Sequence, residues 1–372
     1  MAAPVTRIEA ARLTDAMPRF DMIIDVRSPA EFADDHIPGA VNLPVLDNAQ
    51  RTEIGTLYKQ VSPFAAKRAG AVLVARNIAM HIDTRLSAMP RDWRPLVYCW
   101  RGGQRSGAMA RIFSDIGWQT SLVDGGYKAY RRHIVNILEM VPPTLRLIVL
   151  AGRTGSAKTR ILQTAQQKDV QIIDLEGLAC HRGSLLGSTP DMPQPSQRLF
   201  ESRLAYAIAG LDPNRPVVVE AESNKIGQIH IPPAFWARMR NADRVTIDAP
   251  LAARVAFLEQ DYAHIKANHE SLAATLSGLR FRHSRSLIAD WDAQIKAKAW
   301  TALVTSLLES HYDPAYDRSA ARRNTAELAR LNAVRLDPHA IDQLATGLAA
   351  VIGQQPSCAA PLIWRHGAQL PQ

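Results

Sequence analysis

Short runs of β-branched and other apolar residues alternate along the chain with longer amphipathic stretches, the pattern of α/β layers around a mostly parallel sheet. Early in the chain, Met22–Val26, Pro95–Cys99 and Thr120–Val123 predict strands; later, Leu145–Leu150, Val170–Asp174, Pro216–Glu220 and Arg244–Ile247 do. Asp47–Asp83 and the stretch from Leu251 to about Leu308 carry helical spacing instead, and the first of these reads as an insertion able to act as a lid. Within Val141-Pro142-Pro143-Thr144, the two prolines stop a helical stretch that ends near Glu139 and mark a boundary. The expected architecture is an α/β domain over 1–140, then a second, parallel α/β domain over 145–372 with a helical C-terminal part and a loose tail beyond Gln355.

Composition narrows the class. Of 372 residues, 47% are hydrophobic and 21% charged, which excludes a disordered chain, a collagen-like fibre and a coiled-coil rod. No apolar run approaches the roughly 18 residues that span a bilayer. Met1–Leu13 lacks the apolar segment of a secretory signal, so a cytoplasmic protein without a membrane partner is expected. Lys plus Arg number 44 and Asp plus Glu 35, a net charge of +9 that suits a polyanionic partner and equally suits plain solubility. Cys99, Cys180 and Cys358 are odd in number and contain no Cys-x-x-Cys pair, which argues against a disulfide framework and a structural zinc site. Cys180 and Cys358 are read as inert thiols, and no metal site is assigned with certainty.

Cys99 is different. A strand delivers it into Trp100-Arg101-Gly102-Gly103-Gln104-Arg105-Ser106, and a helix from Gly107 to Ile116 follows. A thiolate just before a helix N-terminus meets converging N–H groups and the positive end of the dipole, which favour its nucleophilic form. Gly102 and Gly103 let the backbone curl into a cradle, and Arg105, with Arg101, offers a fork for a tetrahedral oxyanion. The bland alternative is a buried cysteine on a tight turn.

Two upstream runs, Asp25-Val26-Arg27-Ser28-Pro29-Ala30-Glu31-Phe32 and His36-Ile37-Pro38-Gly39-Ala40-Val41-Asn42-Leu43-Pro44, resemble the rhodanese signature, and Val123-Asp124-Gly125-Gly126-Tyr127 is similar to the segment closing that domain. His36 and the Pro38-Gly39 turn read as scaffold. The resemblance implies a rhodanese-like fold with a cysteine that carries sulfur or selenium. The interval from Cys99 to Arg105, Cys-x5-Arg, is one residue longer than the usual sulfurtransferase loop, suits a phosphate-sized anion, and is shared with cysteine phosphatases; Tyr98 stands where those phosphatases carry histidine.

A second loop, Gly152-Arg153-Thr154-Gly155-Ser156-Ala157-Lys158-Thr159, follows an apolar strand in the pattern G-x-x-x-x-G-K-S/T, with Ala157 in place of the second glycine. Its N–H groups face a di- or triphosphate, Lys158 reaches a terminal phosphate and Thr159 can hold Mg²⁺. If the Ala157 position needs positive φ, the cost is about 1–2 kcal/mol. Glu220 and Glu222 end a strand where a metal or base carboxylate belongs, and equally where an acid caps a buried strand. His181 and Arg182 are candidate phosphate or tRNA contacts, His311-Tyr312-Asp313-Pro314 reads as the end of a helix, and Arg280-Phe281-Arg282-His283-Ser284-Arg285 is either an RNA-binding stripe or a solvated face.

A rhodanese unit followed by a P-loop unit resembles the tRNA 2-selenouridine synthases to about Tyr316. The resemblance includes Gly55-Thr56-Leu57-Tyr58-Lys59-Gln60, Leu175-Glu176-Gly177, Gln194-Pro195-Ser196-Gln197 and Glu220-Ala221-Glu222-Ser223. It implies replacement of sulfur by selenium at C2 of wobble 2-thiouridine in tRNA, with selenophosphate and geranyl diphosphate as substrates and no tightly bound cofactor. Cys99 would then take or position selenium, with the Cys99 loop holding the phosphate and Gly152, Thr154, Gly155, Ser156, Lys158 and Thr159 holding the diphosphate. Two rivals stay open: a cysteine phosphatase or sulfurtransferase fused to a kinase-like domain, and an RNA-binding protein that retains these folds without their chemistry.

Overall fold

The computed structural model describes residues 3–184, 186–187, 192–262, 269–321 and 325–356, so Cys358 and the tail around it lie outside the described residues. The chain forms two compact units. Among the described residues the first comprises the chain up to Val141 together with Pro195–Gly210, and the second comprises Pro142–Gln194 and the chain from Leu211 to Pro356.

The first unit is built on five parallel strands, β1 (Thr6–Ile8), β2 (Met22–Asp25), β3 (Ala40–Asn42), β4 (Pro95–Tyr98) and β5 (Ser121–Val123), in the order β1-β5-β4-β2-β3. β4 is central and buried throughout, so its Pro-Leu-Val-Tyr run reads as continuous rather than alternating. β1 and β3, three residues each and partly exposed, escaped the strand pattern for that reason. Ile24, Val97, Met109, Phe113, Trp93 and Trp118 form the core on one side. The insertion consists of two helices, Asn48–Gln60 and Pro63–His81; Asn77 and His81 bond to the carbonyls of Val45 and Pro44 and fasten its base.

Two features of this unit lay beyond pattern reading. Arg27 is 1% exposed, and its guanidinium donates to both oxygens of Asp25 while its centre stands 4.0 Å from the Tyr127 ring centroid. The helix Gln197–Ala209 lies in sequence within the expected second domain yet packs with the first unit: Arg198 pairs with Asp34 at 2.7 Å and Glu201 with Arg131. The 145–372 boundary therefore needs correcting there, because an amphipathic helix does not announce which unit its apolar face covers.

Asp35 is fully buried at this junction within the first unit. Tyr127 donates to its Oδ2 at 2.9 Å, while Oδ1 has no well-formed hydrogen bond, although Ser202 lies beside it. Burial outweighs those neighbours and pushes its pKa from 3.8 up to about 6. The folded state thus holds a proton that the unfolded chain has released, so stability falls as pH rises from the unfolded to the folded pKa and is level above. Asp35→Asn should stabilise the protein above pH 6 by about 2 kcal/mol relative to its effect near pH 4. Denaturant midpoints on either side of that window test this, and an equal shift at both would show that Asp35 does not titrate there.

The second unit centres on β6 (Leu147–Ala151), with β7 (Ile172–Ile173), β8 (Val217–Glu220), a small hairpin of β9 (Lys225–Ile226) and β10 (Ile229–His230), then β11 (Asp243–Asp248) and β12 (Glu327–Asn332). The main sheet is parallel in the order β12-β11-β6-β8-β7, and the phosphate-type loop leaves its central strand. Helices from Leu251 to Ala320 follow; those around Leu272, Leu276, Trp291, Ile295, Leu303 and Leu307 share a small core of their own. The C-terminal part is not helical alone. β12 returns to the sheet edge, and the helix Pro338–Gly353, capped by Asp337, packs its Leu344, Ala345 and Leu348 into the main core.

Candidate active site

Cys99 leaves the carboxyl end of the central strand of the first sheet, the position where open α/β sheets bind ligands. The Asp124-Gly125-Gly126-Tyr127 segment backs the loop: Tyr127 N–H donates to the Cys99 carbonyl at 2.8 Å and Lys128 N–H to that of Trp100 at 3.0 Å. A Cβ on Gly126, where φ is 60°, would stand 2.3 Å from the Cys99 carbonyl oxygen, so only glycine allows this approach. Gly102 takes φ 64°, which turns the cradle as expected.

The thiol is 3% exposed. Burial alone would raise its pKa, but the Ser106 hydroxyl donates to Sγ at 3.1 Å, the N–H groups of Ser106 and Arg101 bond to it, and Arg105 adds positive charge. The net result is a thiol below its ordinary value. Arg105 does not point freely into the cradle. Its guanidinium forms a fork with Glu31, at 2.8 and 3.4 Å, and Glu31 is itself held in the Ser28 capping box. Arg101 is exposed. Tyr98 serves the scaffold: its hydroxyl accepts the Ile37 N–H at 3.1 Å. His36 does too, stacked on Phe32 at 3.9 Å.

In the second unit the loop between Ala151 and Lys158 has the phosphate-cradle shape. Gly152 and Gly155 take φ 154° and 83°, and Ala157 takes φ 57°, ψ 25° immediately before the helix Lys158–Gln166. The non-glycine residue therefore sits in the left-handed region at about 1–2 kcal/mol. Its methyl is buried in the core beside the loop. Lys158 folds back, with Nζ donating to the carbonyls of Gly152 at 2.9 Å and Arg153 at 3.4 Å. Burial depresses its pKa against the pull of Glu222, Glu176 and Glu220. Thr159 donates to Glu176 at 2.8 Å, and Glu220, fully buried, accepts the Glu176 N–H at 2.8 Å. Burial and mutual repulsion raise all three carboxyls, Glu222 to about 8. Glu220 thus receives an N–H from the first turn of the helix Leu175–Ala179, and Glu222 faces the lysine.

These groups line a cavity of about 1140 Å³ whose other walls include Phe257, Leu258, Tyr262, Tyr312 and Tyr316. His181 lines it, kept neutral by burial; Arg182 does as well but is tied to Asp261 and stacked 4.8 Å from the Tyr262 ring. Among the described residues no cluster of three or more His, Cys, Asp or Glu side chains is arranged to hold a metal by itself.

Residues 145–339 match the model of the tRNA 2-selenouridine synthase AAA domain and residues 9–133 that of the rhodanese-like domain. A tRNA 2-selenouridine synthase from Nitrosomonas europaea is 37% identical over 244 residues, 64% of this chain and, at 63%, under two thirds of that protein. One from Alcanivorax borkumensis is 34% identical over 333 residues, 81% of this chain and 90% of that protein. The chain belongs to the tRNA 2-selenouridine synthase family. Among solved structures, a rhodanese-related protein from Thermoplasma volcanium is 20% identical, with a TM-score of 0.23, over 34% of this chain and 91% of that one.

Several segments that carry the resemblance to the family acquire physical roles that sequence reading missed. His311-Tyr312-Asp313-Pro314 does not end a helix; the helix Trp300–Leu307 continues through a π-helical turn over Leu308–Tyr312 into Asp313–Ala320. Asp313 also holds buried Arg254 in a fork at 2.9 and 2.8 Å, and Arg254 donates to the Thr154 carbonyl at 3.1 Å, which fixes the phosphate loop. Gln194 bonds to the Ile226 carbonyl and the Gln228 N–H, and a Cβ on Gly227 would meet it at 2.2 Å. Glu31, Ser106 and Glu176 were likewise missed as site residues. The signal available for them was position alone: Ser106 directly follows Arg105, and Glu31 belongs to the Asp25–Phe32 run.

Proposed function

We propose that the chain is a tRNA-modifying transferase that replaces sulfur by selenium at C2 of wobble 2-thiouridine, using selenophosphate, through an S-geranyl intermediate made from geranyl diphosphate. The observation that carries this reading is the cavity, where a phosphate-cradling loop opens beside an apolar, aromatic wall. A diphosphate bonded to a hydrocarbon chain suits both halves. Gly152, Thr154, Gly155, Ser156 and Lys158 would hold the diphosphate. The thiocarbonyl sulfur attacks C1 of the geranyl group, the C–O bond breaks with its electrons on the diphosphate, and N3 loses its proton. S-alkylation then lets sulfur leave as a thiolate when selenium adds to C2.

Mg²⁺ fits the second unit in a limited way. Thr159 and the carboxyls of Glu176 and Glu222 supply hard oxygen donors beside the phosphate loop, and Mg²⁺ takes only one or two protein ligands beside phosphates and water. Thr159 with Glu176 or Glu222 would hold it, and it would supply charge neutralisation of the departing diphosphate. No tightly bound cofactor enters this scheme.

The reading places the protein in the cytoplasm with tRNA, and no described helix is long and apolar enough to cross a membrane. The Arg280–Arg285 stripe supports an RNA partner. Phe281 is 86% exposed with Arg280 5.0 Å from its ring, and no carboxylate pairs with Arg280, Arg282 or Arg285 among the described residues. His283 anchors the stripe from behind, against Trp291 and 2.9 Å from His311. Phe281→Ala should weaken tRNA binding about tenfold, and Phe281→Trp should not; equal affinities measured by fluorescence anisotropy would remove the stripe from the interface.

Nucleoside mass spectrometry of 2-thiouridine tRNA incubated with the protein, selenophosphate and geranyl diphosphate tests the whole reading. Appearance of 2-selenouridine is expected. No change in the nucleoside, with both donors shown to be intact, would return the chain to the phosphatase-and-kinase reading.

A further inference from the structure

We propose that Cys99 acts on phosphorus and not on selenium: its thiolate cleaves the P–Se bond of a selenophosphoryl group and forms a transient phosphocysteine. This rests on selenophosphate being the donor, and it assigns the first unit a phosphoryl-transfer step that neither a sulfur-carrying nor a selenium-carrying cysteine performs.

Three features of the loop point this way. The Cys-x5-Arg interval leaves room for a tetrahedral group with three terminal oxygens, and the helix that follows begins at Gln104 with no side chain capping it. Its Ser106 N–H goes to Sγ, so the first turn places the sulfur and the positive end of the dipole together at the mouth of the cradle. The Ser106 hydroxyl and two N–H groups bond to Sγ and favour its thiolate form, which suits in-line attack at an electrophilic phosphorus. Arg105 is a planar fork already satisfied by Glu31, and an arriving trianionic group offers it the same bidentate geometry with more charge.

Electron balance gives an independent reason. Selenium in selenophosphate is at the selenide level. Placing it on Cys99 as a perselenide would oxidise it, and nothing in the scheme supplies an oxidant. Attack at phosphorus needs none: the Sγ–P bond forms, the P–Se bond breaks, and the electron pair leaves on selenium. Water then cleaves Sγ–P, releasing phosphate and a proton and restoring the thiolate. Selenide is a good leaving group that needs no proton; the loop from Trp100 to Ser106 carries no Asp, Glu or His, and Glu31 beside it is paired with Arg105 with its pKa lowered, a poor proton donor. For the same reason the loop should cleave ordinary alkyl phosphates poorly, since alkoxide does need one.

The test uses the full-length protein, S-geranylated tRNA and selenophosphate carrying radioactive phosphorus, quenched rapidly in denaturant. Phosphorus label on the Cys99 peptide is expected, lost in Cys99→Ala and slowed in Arg105→Lys, with phosphate release in Cys99→Ala reduced at least about 10³-fold. Selenium without phosphorus on Cys99, or phosphate release unchanged in Cys99→Ala, overturns the proposal. The tRNA nucleosides are read from the same tubes: if they are selenated while Cys99 stays unlabelled and phosphate release does not depend on it, this proposal fails and the proposed function stands. If Cys99 is labelled but no tRNA is selenated, the proposed function fails and the phosphorus chemistry stands.

Discussion

Cys99→Ala should abolish formation of 2-selenouridine, a loss of at least about 10³-fold, while S-geranyl-2-thiouridine still accumulates. The variant removes the sulfur to which the Ser106 hydroxyl and two backbone N–H groups bond. It leaves the Gly126 contact and the buried Asp25–Arg27 pair that shape the loop. In the proposed scheme geranylation uses the phosphate loop of the second unit, the compact unit that holds Lys158, Thr159 and Arg254. Nucleoside mass spectrometry reads both products in one experiment. Selenation at the wild-type rate would remove Cys99 from the chemistry; loss of both products would mean that the two loops do not divide the reaction as proposed.

Lys158→Ala should weaken geranyl diphosphate by about 10- to 150-fold, the range for loss of a charge-assisted hydrogen bond to phosphate. The lysine now bonds only to loop carbonyls and is buried enough that its pKa is depressed, so its charge has no anion of matching strength until the diphosphate arrives. The fold should tolerate the change. Glu222, already raised to about 8, stays protonated at neutral pH when the cation beside it is gone, so no buried charge is stranded. Direct binding of geranyl diphosphate, with the thermal transition as a control, decides the matter. Unchanged affinity in a folded variant would move the diphosphate seat elsewhere.

Much of this molecule was legible along the chain because its signals are local. A strand buried on both faces needs an unbroken apolar run, and Pro95–Tyr98, Leu147–Ala151 and the three valines that open Val217–Glu220 all supply one. A loop that wraps an anion needs glycine or its costly substitute at left-handed positions, which is why Gly102, Gly155 and Ala157 could be read as a cradle before their φ angles were known. The class of fold, the two loops and the family all follow from such short-range requirements. The strands β1, β3 and β12 did not, because short or exposed edge strands need little apolar patterning of their own.

What the tertiary structure decided are pairings between residues far apart in sequence. Arg105 meets Glu31, Arg254 joins Asp313 to Thr154, and Thr159 meets Glu176, each across an interval that no spacing rule covers. The raised pKa values of Asp35 and Glu222 belong here too, since desolvation is a property of what packs around a carboxyl and not of its neighbours in the chain. So does the place of the helix Gln197–Ala209, whose sequence shows that it has a face to bury but not which unit buries it. The chemical groups of this protein are thus written in its sequence, whereas their charge states and alignment arise only when the chain closes around them.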